Sequence, residues 1–150
     1  MNSENRIYDT FNEVLVKLFN DIMHIEEKAI ITEEFKDISN NDMHIIEAIG
    51  ITEPKNMSQV AKTLSVTVGT LTIAINNLVK KGYVERVRSE KDRRVVYISL
   101  SAKGRKAFSH HAKFHEEMIQ ATINGLSTEE VNVLVKSLEN LVGFFRDWQH

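Results

Sequence analysis

The sequence predicts a mainly α-helical fold with a small β wing: a winged helix-turn-helix flanked by long N- and C-terminal helices. Three observations predict it. Long amphipathic stripes lie at both ends of the chain, two short helices separated by a tight turn lie between them, and two β-rich runs bracket a charged segment just after the second of those helices. With 150 residues, 42% of them hydrophobic, the chain has room for one core and predicts a single domain over 1–150.

The elements follow in order. Residues 4–31 place Ile7, Phe11, Val14, Leu15, Leu18, Phe19, Ile22 and Ile25 at steps of three and four with no Gly or Pro, one long amphipathic helix. A second helix over 41–49 is entered at Ser39, with Asp42 in capping-box position, and left at Gly50; Pro54 then sits in a loop. Asn56 caps a short helix to Leu64 with Gln59 at its third position, Ser65 and Val66 turn, and Thr67 caps a helix that runs to Lys81 and stops at Gly82. Tyr83 to Val87 and Val95 to Leu100 read as a hairpin with a basic tip. Ser101 opens a helix to Asn124. Gly125 ends it, and Ser127 with Glu130 makes a capping box for a last helix carrying Val131, Leu134, Val135, Leu138, Leu141, Val142 and Phe145, ending near Trp148. The unit 41–101 is thus the reading unit. The flanks 4–32 and 102–148 are expected to be dimerisation helices, because their stripes are wide for a monomer this size, unless they merely pack on each other within one chain. That they also hold a ligand is implied only by a family resemblance.

Composition excludes several classes. Without cysteine there is no disulfide, thiolate metal site or thiol nucleophile, which suits a reducing cytosol. The start MNSENRIYDTFNE lacks a basic region followed by an unbroken apolar run, and no window approaches ~18 consecutive apolar residues, so a cytoplasmic protein with no membrane partner is expected. No glycine-rich phosphate loop, nucleophile elbow or paired-carboxylate signature appears, and His44 with Glu47 is too common a pair to count; no enzyme and no covalent cofactor are expected.

Charge distribution points to nucleic acid. The net charge is −2, yet residues 80–106 alone carry +7, leaving −9 on the rest. Phosphate neutralisation is screened and short-ranged, so a basic island on an acidic molecule suits duplex binding through one face. On the helix from Thr67, Leu71, Ala74, Ile75, Leu78 and Val79 share one side. Gly69, Thr70, Thr72, Ile73, Asn76, Asn77 and Lys80 share the other, small and polar enough to enter a major groove. Ser58, Gln59 and Thr67 lie at the two helix N-termini, where backbone donors suit a phosphate. At the ribbon tip Arg93 and Arg94 suit a narrow A·T-rich minor groove, Arg88 and Lys91 the flanking phosphates, and Asp92 orients a neighbouring Arg.

Metal binding is the rival. His110, His111 and His115 share one helix with Glu116 and Glu117, and the i, i+4 pair His111 and His115 can grip zinc; His24 or His44 would complete a site only if folding brings them near. Helical histidines are usually solvated, so no metal is expected.

The residues also carry a family resemblance. Ser58-Gln59-Val60-Ala61, Leu71-Thr72, Asn77-Leu78, Lys80-Lys81-Gly82-Tyr83-Val84, Asp92-Arg93-Arg94 and Leu100-Ser101-Ala102-Lys103-Gly104 resemble the MarR family of repressors. That resemblance implies homodimers joined by their terminal helices, straddling an inverted repeat. Phe35-Lys36-Asp37-Ile38-Ser39, Met43-His44, Val68-Gly69-Thr70, Asn76-Asn77-Leu78 and the run from Val84 to Val96 are similar, more narrowly, to those members that repress fatty-acid synthesis genes in Gram-positive bacteria. This narrower likeness implies A·T-rich palindromic operators and long-chain acyl-acyl-carrier-protein as corepressor, the acyl chain being the effector. Ile22, Met23, Ile25, Ile45, Ile49, Phe108, Phe114 and Met118 could line an acyl tunnel or simply pack the core. Lys103, Arg105, Lys106 and Lys113 could dock the acidic carrier protein or serve DNA phosphates. Within the same family, zinc or a small aromatic ligand is the alternative effector.

Overall fold

The computed structural model describes residues 3–30, 32 and 34–148. An N-terminal arm begins with α1 (Ser3–Asn12), passes through a π-helical stretch, Glu13–Leu18, and continues as α2 (Phe19–Ile30). The expected end of that helix at residue 31 lies outside the described residues. The π stretch was not legible in the 3.6-residue periodicity. There the Phe19 N–H donates to the Val14 carbonyl, one residue further back than in an α-helix, which re-phases the apolar stripe halfway along the arm.

The helices of the reading unit follow from their caps. In α3 (Asn40–Ile49) the Ser39 hydroxyl accepts from the Asp42 N–H and the Asp42 carboxylate accepts from the Ser39 N–H, a complete capping box, and Gly50 at φ +70° ends the helix. The same reciprocal pair forms between Asn56 and Gln59 at the start of α4 (Met57–Leu64). Thr67 caps α5 (Val68–Lys80) by accepting from the Thr70 N–H. Between α4 and α5 the turn passes through Ser65 in the left-handed region, at φ 55°.

The wing is β2 (Val84–Arg88) and β3 (Val96–Leu100), antiparallel, with Val84 opposite Leu100 and Arg88 opposite Val96. A third strand, β1 (Lys55–Asn56), pairs with the other edge of β3, giving the order β1-β3-β2. Two residues are too few to show any alternation, so sequence reading gave no strand there and read Asn56 only as a helix cap. This strand seats α4 against the wing.

One apolar core joins these parts: Met43, Ile46 and Ile49 from α3, Val60 from α4, Leu71, Ile75 and Leu78 from α5, and Ile98 from β3. Each such side chain contributes about 1.5–3 kcal/mol on leaving water. α6 (Ala102–Ile123) starts at Ser101, whose hydroxyl accepts from the Gly104 N–H at 3.1 Å. Gly104 is buried against the Tyr83 backbone, and a Cβ there would overlap the Tyr83 carbonyl oxygen, so the position requires glycine.

The chain divides into two compact units, one through Ala112 and one from Lys113. In the second, Ser127 and Glu130 close the expected capping box, at 2.7 and 3.2 Å, ahead of α7 (Thr128–Trp148). That helix has no buried residue, and Leu138, Val142 and Phe145 stand exposed.

Tyr83 is fully buried and its hydroxyl donates to the Asp37 carboxylate at 2.5 Å. That hydrogen bond, helped by the Lys103 ammonium and opposed by partial burial, holds the Asp37 carboxyl below its ordinary value near 3.8, while burial and then the Asp37 contact raise the Tyr83 phenol. A depressed carboxyl pKa stabilises the fold above 3.8 and ceases to do so as pH falls through the folded value. Tyr83→Phe is therefore expected to lower stability by about 1 kcal/mol near neutral pH, discounted because Asp37 is partly exposed. The difference should vanish in strong acid, which urea unfolding at both pH values checks. Gly104→Ala should cost roughly 3 kcal/mol through backbone overlap. An unchanged melting temperature would refute that reading of the glycine.

Candidate nucleic-acid interface

The candidate interface is built from α5 and the wing. Leu71, Ile75 and Leu78 turn one side of α5 into the core, with Ala74 and Val79 packed against it. That leaves Gly69, Thr70, Ile73, Asn77 and Lys80 exposed and Thr72 and Asn76 half-buried, the partition expected from the sequence. Ile73 is 68% exposed in the middle of this face. An isoleucine held in water has no stabilising role in the free chain, whereas apolar contact with a thymine methyl would use it.

Several polar groups of the face are already engaged at one end. The Thr72 hydroxyl donates to the Val68 carbonyl at 2.7 Å. The Thr67 hydroxyl donates to the Thr70 hydroxyl at 2.9 Å while accepting the Thr70 N–H at 3.1 Å. The Gln59 side-chain oxygen accepts from the Asn56 N–H at 3.0 Å, so this residue serves as a cap first. Ser58 is exposed on the first turn of α4. Sequence reading missed Arg86 of β2, whose guanidinium donates to the Asn76 side-chain oxygen at 2.6 Å. Strand periodicity marks it as outward-facing but not as reaching α5.

At the ribbon tip, Asp92 binds Arg94 through both carboxylate oxygens, at 3.1 and 3.3 Å, and that contact lowers the Asp92 pKa. The tip is closed by the Ser89 N–H donating to the Val95 carbonyl. Arg88, Lys91 and Arg93 are exposed, and among the described residues no salt bridge engages them. The tip thus offers free cations beside one pre-oriented guanidinium.

The other expected sites are more dispersed. Ile45 and Ile49 belong to the apolar core of the reading unit, with Phe108 packed on it, and Ile45 also borders a hollow of about 170 Å³ with His44, Leu64, Val66 and Leu71. Ile22 is half-buried on α2, whereas Met23 and Ile25 are 39% and 54% exposed; Phe114 and Met118 belong to the second unit. The cations named as a carrier dock each have a contact within the chain. Lys103 lies 3.8 Å from Asp37 and 4.4 Å from the Tyr83 ring centroid, Arg105 donates to the Ile51 carbonyl, Lys106 faces Glu34 at 3.7 Å and Lys113 faces Glu117 at 3.9 Å. Arg105 and Lys106 nonetheless border a surface hollow of about 430 Å³ with Glu34, Phe35, Ser109 and His110.

His111 corrects the expectation of a solvated histidine. It is 2% exposed, its Nε2 lying 3.2 Å from Glu26 of α2 and 2.8 Å from Glu47 of α3. Neither carboxylate is predictable from spacing along α6, since both arrive from other helices. His115 lies in the second unit, and His110 contacts the Ala29 carbonyl at 3.0 Å.

Residues 28–111 match the family of transcriptional regulators described as SarA/Rot. Among solved structures, that of Streptococcus pneumoniae FabT in complex with DNA is similar at 47% identity and a TM-score of 0.83, covering 94% of this chain and 99% of that one. The HTH-type transcriptional regulator PchR of Bacillus subtilis is 24% identical over 89% of this chain and 88% of its own, and the regulator SarZ of Staphylococcus aureus 28% identical over 87% and 90%.

For the wing, Arg93→Ala is expected to weaken binding to duplex DNA more than Arg94→Ala, because Asp92 already neutralises part of the Arg94 charge. The double variant should lose roughly tenfold in affinity and flatten the dependence on salt by about one unit of slope per lost phosphate contact. Titrations at several salt concentrations would show it, and unchanged binding would remove the wing from the interface.

Proposed function

This chain belongs to the MarR-type transcription regulators that the SarA/Rot description covers, and on that premise we propose that it is a homodimeric repressor of fatty-acid synthesis genes, with long-chain acyl-acyl-carrier-protein as corepressor. The observation that carries the reading is likeness over nearly the full chain to FabT, whose structure holds DNA, together with an α5 face that is exposed, polar and flanked by a basic ribbon. The narrower resemblance in the segments from Phe35 to Ser39 and Val84 to Val96 supports fatty-acid genes as targets and A·T-rich inverted repeats as operators.

Pairing of two copies is supported by apolar surface that the chain does not cover. No residue of α1 is buried, and Phe11 and Phe19 of the arm and Leu138 and Phe145 of α7 stand in water. Two-fold symmetry would then set two α5 helices about one turn of duplex apart. The acyl chain acts by binding more tightly to the dimer geometry that meets successive major grooves, which raises operator affinity by that difference and by no more. A cytoplasmic location accords with this role, and among the described residues no helix is long and apolar enough to cross a membrane.

A second reading, response to a divalent metal, draws on the burial of His111 between Glu26 and Glu47. Operator affinity measured with and without chelator separates it from the first.

The test is operator binding in the presence of the carrier protein, acylated or not. Long-chain acyl-carrier protein should tighten binding at least about fivefold, the low end of ordinary coupling between sites. Equal effects of acylated and unacylated carrier would overturn corepression. Absence of sequence-selective duplex binding under every condition would overturn repression itself. Leu138→Glu should convert the dimer to monomers in sedimentation and abolish operator binding with it.

A further inference from the structure

Arg86 and Asn76 meet where β2 passes α5, and their chemistry fixes which way the asparagine carboxamide points. A guanidinium has donors and no acceptor, so the Asn76 atom 2.6 Å from the Arg86 Nη1 must be the carbonyl oxygen. The Nδ2 group, with its two hydrogens, is therefore the end left to face outward. Asn76 is half-buried on the flank of α5, one turn beyond Thr72, while Arg86 itself is exposed. A charge-assisted contact of this length is among the stronger side-chain hydrogen bonds, and it comes from a strand pinned in register, Arg86 lying opposite Ile98.

An asparagine free at both ends reads adenine in the major groove by accepting from N6 and donating to N7. With its oxygen turned toward Arg86, Asn76 presents its N–H donors to a base edge rather than the paired acceptor and donor that adenine needs. We propose that Arg86 is a specificity-determining residue: it turns the donor end of Asn76 to the groove, which favours a base edge presenting acceptors, guanine O6 and N7 or thymine O4, and disfavours adenine at that position of each half-site. Arg86 acts through Asn76 rather than on a base. The inference rests on the reading of α5 as the base-contacting helix.

Selection from a random duplex pool followed by sequencing tests it, using the full-length wild type, Arg86→Ala, Arg86→Lys, Asn76→Ala and the double variant Arg86→Ala with Asn76→Ala. Wild type should select an acceptor-presenting base at one position per half-site. Arg86→Ala should shift that position alone toward adenine by roughly fivefold or more, the scale of one good base contact. Lysine, which can still donate to the Asn76 oxygen, should restore the original preference. Asn76→Ala should erase preference at the same position, and the double variant should match it. A uniform loss of affinity across all sequences with Arg86→Ala would make the residue a phosphate contact and overturn the proposal, as would an unchanged preference. If wild type selects no sequence at all, it is the DNA-binding reading that fails.

Discussion

The placement of the wing beside α5 depends on how the chain is held at Tyr83. Gly82, at φ +85°, ends the helix in a conformation that side chains resist, and the next residue is fixed on every side. Its N–H donates to the Leu78 carbonyl, its carbonyl accepts from the Ser101 N–H, its ring is fully buried and its hydroxyl reaches Asp37. Gly104 closes the last direction by letting α6 lie against the same carbonyl. Burial of the ring is worth a few kcal/mol, whereas the partly exposed pairs around it, Lys81 with Asp42 and Lys103 with Asp37, contribute at most about 1 kcal/mol each. Packing fixes the hub and the charges trim it. Because β2 begins at the very next residue, any tilt at Tyr83 is carried to the ribbon tip.

That arrangement explains why the local charge of +7 over residues 80–106 does not act as one block. Lys81 and Lys103 are spent on the hub and Arg94 is shared with Asp92, while Lys80, Arg88, Lys91 and Arg93 are left facing solvent. The free cations follow the edge of α5 and the ribbon, and a Debye length of about 8 Å at physiological salt confines their pull to a duplex seated there. The acidic remainder of the chain repels polyanions elsewhere. On the proposed interface, charge would thus set orientation on DNA before any base is read.

How much of this was legible in the sequence can be argued residue by residue. Caps are local chemistry within three residues, so Ser39 with Asp42, Asn56 with Gln59, and Ser127 with Glu130 could be read directly, and they fixed the helix boundaries. The buried and exposed sides of α5 followed from periodicity alone. What escaped depends on residues far apart in the chain. Gly104 is needed because of a carbonyl 21 positions earlier, as the positions show, and His111 is buried by carboxylates from α2 and α3. The strand β1 exists only because β3 offers an edge, and the π turn at Glu13–Leu18 leaves no mark in composition. The expected acyl-binding residues show the same limit: apolar character marks Ile45 and Ile49 as buried without saying whether they line a cavity or fill a core, and here both belong to the core while Ile45 also borders a hollow.

Affinity and discrimination come from different atoms of this surface, and magnitudes separate them. A cation on a phosphate binds every sequence equally and weakens with salt, whereas a base contact is worth about 1–3 kcal/mol of preference at one position. The groups able to supply preference are few, and most have one end committed inside the protein: the Thr72 hydroxyl hydrogen to Val68, the Gln59 oxygen to Asn56, the Asn76 oxygen to Arg86. Each commitment removes a rotamer that would otherwise have to be frozen on binding, and each fixes the sign of what remains, an acceptor at Thr72 and donors at Gln59 and Asn76. A reading face with its polarity set in advance loses less entropy on docking and mismatches more sharply, because a base offering the wrong group meets an atom that cannot turn away. Selectivity therefore resides as much in the contacts behind the face as in the residues upon it.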